Sequence, residues 1–201
     1  MTGAIGSSLI LALTLVLAAA ADENSWRSTQ AKVAVCFDAM DRDPALAVVN
    51  ARFARQPPTP AQLLDKTVPG EEEAEALRLR VKTTRPCREL RLAAVQAHHP
   101  DLEPAYRTLY YQADQVFDYL QQRAIDYGTA NRLSASALAA FRQREKSYFD
   151  RSPVERAELA QEWSDGLARG HSNPPPPSPD LVCEWDDLNI LCVSAETRDR
   201  K

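Results

Sequence analysis

Four cysteines, Cys36, Cys87, Cys183 and Cys192, stand two on each side of four consecutive prolines, Pro174–Pro177. An even set of cysteines is a covalent framework only where the chain is oxidised, so the first question is the compartment. The first 21 residues, MTGAIGSSLILALTLVLAAAA, carry no charged side chain. Leu9–Leu17 has the length of a signal-peptide apolar core and is too short to span a bilayer alone. Ala18–Ala21 supplies the small residues a signal peptidase needs, and the charged pair Asp22-Glu23 follows. Residues 1–21 are therefore expected to be a signal peptide, cleaved after Ala21 or one residue earlier. The alternative is an uncleaved anchor using the whole stretch from Ala4 to Ala21, since the leader has no Lys or Arg. The expectation is an exported chain, periplasmic or secreted, touching the membrane only transiently through this leader.

In an oxidising milieu four cysteines allow three connectivities. Cys36–Cys87 with Cys183–Cys192 is favoured, because the proline run separates the pairs. Across an antiparallel hairpin in which Cys183 faces Cys192, residues 184/191, 185/190 and 186/189 also pair, and Asp187-Leu188 forms the loop. The cysteines then occupy a non-hydrogen-bonded pair, whose Cα atoms are about 4.5 Å apart and within bridging range. In the chain-entropy model the short loop contributes roughly 2.7 kcal/mol and the Cys36–Cys87 loop roughly 4.1 kcal/mol.

Between leader and prolines the punctuation is that of helices. Val33, Phe37 and Met40 form an apolar row over residues 29–40. Asp43-Pro44 and Thr59-Pro60 each read as an N-cap followed by proline at the first helical position, the first helix burying Leu46, Val49 and Phe53. Glu71, Glu72 and Glu73 suit a helix N-terminus, with Ala74, Leu77 and Val81 as its stripe. Beyond Pro86 the apolar set Cys87, Leu90, Ala93, Ala94 and Ala97 lies on a rotated face, which predicts a break or kink at that proline. Pro104 opens a long helix expected to reach Tyr127, with Gly128 as its C′ residue. Thr129 starts another helix burying Leu133, Ala137, Leu138 and Phe141. Ser152-Pro153-Val154-Glu155 has capping-box spacing before Leu159, Trp163 and Leu167.

The fold class expected is thus all-α: a multi-helix bundle stapled by a disulfide, with a proline-rich spacer and a small disulfide-closed C-terminal β-hairpin. Its parts are the signal peptide 1–21, a helical domain 22–170, a proline-rich linker 171–179 and a hairpin tail 180–201. In layout the chain resembles secreted helical proteins of Gram-negative bacteria, some of which end in a short two-cysteine tail, and that layout implies no activity.

Chemistry is sparse. A formal net charge of −4 and a pI near 5.5, together with export, argue against nucleic acid as a partner. Metal ligands gather only at His98-His99-Pro100-Asp101-Leu102-Glu103, without a convincing ligand spacing. Imidazoles at a helix C-terminus also interact well with its last carbonyls. Arg78, Lys82 and Arg85 share one face that could meet an anionic surface, partly neutralised by Glu75 and Glu89. No nucleophile motif, phosphate loop or dinucleotide fingerprint is present. No residue is assigned a catalytic, cofactor-binding or metal role, and no cofactor is expected. The function expected is that of a non-catalytic envelope protein that binds another macromolecule, an envelope protein or polymer, through the tail and an exposed Trp185. The competing expectation is an exported hydrolase or metal-handling protein with its site between His98 and Glu103.

Overall fold

Helix α4, Glu71–His98, is the axis about which the other elements are arranged. The computed structural model describes residues 6–53, 57–169, 181–186 and 189–194, with backbone only for 6–23 and for the tail strands apart from Cys183 and Trp185. Residues 1–5 and the linker 171–179 lie outside the described residues, and the side chains of the expected signal segment do too. Along the chain run α1 (Gly6–Asp41), a 3-10 turn (Pro44–Leu46), α2 (Ala47–Asn50), α3 (Pro60–Leu63), α4, a second 3-10 turn (Pro100–Leu102), α5 (Glu103–Gln121), α6 (Tyr127–Phe149) and α7 (Pro153–Arg169). Strands β1 (Leu181–Asp186) and β2 (Asn189–Ser194) follow as an antiparallel pair in which Cys183 is the register partner of Cys192. The bundle is mostly helical, and among the described residues no helix is long and apolar enough to cross a membrane.

A disulfide joins Cys36 to Cys87, with Cα atoms 5.6 Å apart. Ser25 lies beside His98, and Asp41 pairs with Arg80 at 3.5 Å, so residues 25–41 of α1 run antiparallel to residues 80–98 of α4. On its other side α4 packs against α5, which in turn packs against α6 and α7.

Of the break or kink expected at Pro86, the break does not occur: α4 is one continuous helix of 28 residues with the proline inside. Two physical reasons account for this. The missing hydrogen bond is local, and the turn before it is reinforced by hydroxyls. Thr83 Oγ1 donates toward the carbonyls of Leu79 and Arg80, and Thr84 Oγ1 toward those of Arg80 and Val81. The rotated stripe is also not the buried one, because Leu90, Ala93 and Ala97 face outward. Past the proline the covered positions are Cys87, Ala94 and Val95, with Arg88, Arg91 and Leu92 half-buried. They continue the arc of Leu77, so one continuous helix can bury residues on both sides of the proline.

The second departure is the end of α5. It stops at Gln121 rather than Tyr127, with Arg123 at φ 57°. Arg123 N–H donates to the Leu120 carbonyl and Ala124 N–H to that of Tyr119, both at 2.9 Å, which is the Schellman closure with arginine where glycine is usual. Gly128 therefore terminates nothing. It lies in the first turn of α6, where a Cβ would stand 2.7 Å from the Leu63 carbonyl oxygen and 2.9 Å from that of Asp65. Asp126, not Thr129, caps α6, accepting from Thr129 N–H at 2.6 Å. The expected starts at Asp43, Thr59 and Ser152 are in place.

Two substitutions should therefore carry opposite signs. Gly128→Ala, normally a gain within a helix, should destabilise by about 1–3 kcal/mol through overpacking against backbone. Arg123→Gly should stabilise by about 1 kcal/mol by removing left-handed strain from a residue with a Cβ. Urea unfolding of the two variants against the parent checks both.

Candidate functional site

The polar residues that matter most lie inside the bundle. Arg80, Thr84, Arg88 and Arg91 recur at spacings of four, four and three along the buried arc of α4. Arg80 is only 6% exposed, bonds the Asn50 amide oxygen and lies 5.8 Å from the Phe53 ring centroid and 6.0 Å from that of Phe117. Arg88 donates to Asp114 at 2.6 Å and stands 5.0 Å from the Tyr110 ring. Arg91 lies between the rings of Phe37 and Tyr106, 5.7 Å from each. A guanidinium tolerates such a place because its stem is apolar and its plane stacks on aromatic faces. Burial raises the phenol pKa of Tyr110 to about 12 despite the nearby arginines, and burial together with Glu145 raises that of Tyr106. Tyr106 donates to Glu145 at 2.9 Å, tying α5 to α6. This seam divides the core into a larger cluster around Leu77, Phe117, Leu120 and Tyr127 and a smaller one around Val95, Leu102, Tyr106 and Phe141.

A second network pins the connection between α2 and α4. Arg52 bridges Asp65 at 2.9 Å and Glu73 at 3.1 Å and lies over the Tyr127 ring. Asn131, fully buried, donates to the carbonyls of Arg52 and Gln62, while Tyr127 and Gly128 N–H donate to those of Thr67 and Asp65. Burial alone would raise the Asp65 pKa, but hydrogen bonds from Thr67 and the Arg52 charge outweigh it and hold the carboxyl below its ordinary value. Asp126 is held low in the same way by Thr129 and Lys66. Irregular backbone in a bundle must find partners for its N–H and C=O groups, and these side chains provide them.

The residues singled out from sequence are dispersed by the fold. His98 stands by Ser25 and the edge of Trp26. His99 packs against Trp26 at 4.9 Å and Phe149 at 5.3 Å between ring centroids. The Glu103 carboxylate is engaged by Arg107 and Gln96, and Asp101 lies toward Tyr148. Among the described residues, no three of His, Cys, Asp and Glu gather as metal ligands. Arg78, Lys82 and Arg85 are on the exposed face as expected, Arg78 paired with Glu75. Of the cysteines, Cys36 and Cys87 are bonded to each other and Cys183 is also disulfide-bonded.

The tail differs from the expectation that Trp185 is exposed and held clear of the bundle. Trp185 is half-buried, and its Nε1–H donates to the Leu133 carbonyl of α6 at 2.8 Å; with Cys183 it packs against the larger core cluster. A lone tryptophan in a sequence gives no sign of which carbonyl its indole will reach.

No protein family matches the chain, and no curated protein or solved structure matches it.

Arg80→Ala should cost about 3 kcal/mol in urea unfolding, because Asp41 would lose a buried partner. Asp65 and Asp126 have folded pKa values below their unfolded ones. Their contribution is present above about pH 4 and lost as pH falls through the folded values. Stability measured from pH 6 down to pH 3 should therefore decline less steeply in Asp65→Asn than in the parent.

Proposed function

We propose that this chain is an exported, non-catalytic helical protein of the cell envelope that acts by binding another macromolecule. The observation that carries the reading is the Cys36–Cys87 bond, with Cys87 buried where α1 meets α4. Such bonds persist in oxidising compartments and are rare in the reducing cytosol, and the apolar leader ending in Ala18–Ala21 supplies the route out. The non-catalytic part is supported by the fate of the interior arginines: Arg80 and Arg88 pair with carboxylates that hold elements together, as does the more exposed Arg52.

In this reading residues 171–179 form a spacer and a Cys183–Cys192 bond closes the C-terminal hairpin. The hairpin rests on α6 through Trp185, and its outer strand edge takes the partner by adding a strand. The partner is an envelope protein or polymer offering an extended segment.

Mature protein recovered from the envelope fraction should begin near Asp22, with no free thiol by mass spectrometry. Deleting residues 172–201 should leave a helical bundle by circular dichroism and abolish partner capture in a pull-down from the same fraction. Full-length chain in the cytosol with four free thiols, or capture unchanged by the deletion, would overturn the reading.

A further inference from the structure

Where α5, α6 and α7 meet, the surface closes over a cleft of about 190 Å³ lined by Thr108, Arg144, Glu162, Trp163, Gly166 and Arg169, with Leu167 beside them. Trp163 packs against the smaller core cluster, while Arg144, Glu162 and Arg169 stand outside the ion-pair networks described above. Arg144 is half-buried, yet neither it, Glu162 nor Arg169 forms an ion pair with another described residue. That sets them apart from Arg52, Arg80 and Arg88, each of which holds a carboxylate. Arg169 and Glu162 are exposed, but the half-buried Arg144 is partly withdrawn from water without a counter-charge, and an anion entering the cleft would offset that desolvation cost.

The lining also says what kind of anion. Two arginines against one glutamate leave a single net positive charge on the lining. A simple anion would be repelled by Glu162, whereas a molecule bearing both a carboxylate and an ammonium uses all three groups. The rest of the wall is Trp163, Leu167 and the buried Thr108, suited to an apolar side chain. Gly166 keeps the space open: a Cβ there would meet only the Arg169 Nη2, at 3.9 Å, so a longer side chain would project into the cleft beneath that guanidinium. The volume falls below the roughly 300 Å³ at which drug-sized sites begin, which limits the occupant to a small metabolite.

We propose that this cleft binds a free apolar α-amino acid, its carboxylate on Arg144 and Arg169, its ammonium on Glu162 and its side chain against Trp163. This site is separate from the tail and stands or falls independently of partner capture.

The test is an NMR titration of the full mature chain with L-leucine, following the Trp163 indole N–H, assigned through Trp163→Phe. Saturable shifts with a Kd of about 1 mM or tighter are expected for a ligand of this size. L-leucinamide, which lacks the carboxylate, and N-acetyl-L-leucine, which lacks the ammonium, should each bind about tenfold more weakly, since each forfeits a charge-assisted contact. Arg144→Gln should weaken L-leucine about tenfold, and Gly166→Leu should abolish binding with every charge retained, the rest of the spectrum reporting an intact fold. No shift up to about 10 mM L-leucine, equal binding of either derivative, or full binding by Gly166→Leu would overturn the proposal.

Discussion

The row of arginines on the buried arc of α4 is the constraint on which the bundle depends. A helix sandwiched between α1 and α5 must present a wide covered face, and on α4 that face includes Arg80, Arg88 and Arg91. Each guanidinium needs both a flat apolar surface and an acceptor. Phe53, Phe117, Tyr110, Phe37 and Tyr106 supply the surfaces, and Asp41, Asn50 and Asp114 supply acceptors for Arg80 and Arg88. These partners come from α1, α2, the turn after it and α5. The row therefore specifies the register in which those elements meet α4. The same arrangement makes the interior intolerant of losing any one partner, because a buried charge left alone costs more than the pair contributes.

The disulfide acts on the same seam by different means. Cys36 and Cys87 lie between the Arg80–Asp41 pair and the contact of Ser25 with His98, so the bond clamps α1 against α4 midway along their shared length. It restricts the unfolded chain, whereas the arginine contacts select among folded arrangements. The connection between α2 and α4 is handled by a third device: with little apolar surface of its own, it is held by backbone carbonyls that accept from Asn131, Gly128 and Tyr127. The missing side chain of Gly128 is what lets that connection approach α6 so closely.

Most helix starts were readable because capping is a contact over two or three residues. Asp43, Thr59 and Ser152 all stand where their spacing to Pro44, Pro60 and Glu155 places them. Helix ends and buried faces were less so. Gly128 looked like a C′ residue because glycine accepts positive φ without strain, yet Arg123 takes that conformation and Gly128 answers a steric demand from residues 63–65. Leu90, Ala93 and Ala97 looked like core because they are apolar. The true arc carries threonine and arginines whose burial depends on rings and carboxylates far along the chain. The carboxylates and imidazoles between His98 and Glu103 are neighbours in sequence, but the fold turns each toward a different partner.

By itself the sequence determined the helical class and the sites where most helices begin, and favoured the pairing of Cys36 with Cys87 that the structure shows, since these follow from local hydrogen bonding, periodicity and the order of cysteines along the chain. Tertiary structure alone decided that α4 continues unbroken through Pro86, that arginines fill its buried arc, that Trp185 reaches the Leu133 carbonyl, and that Arg144, Glu162 and Arg169 line one cleft. Each of those outcomes depends on groups from different helices meeting at a few ångströms, a distance that no spacing along the chain encodes.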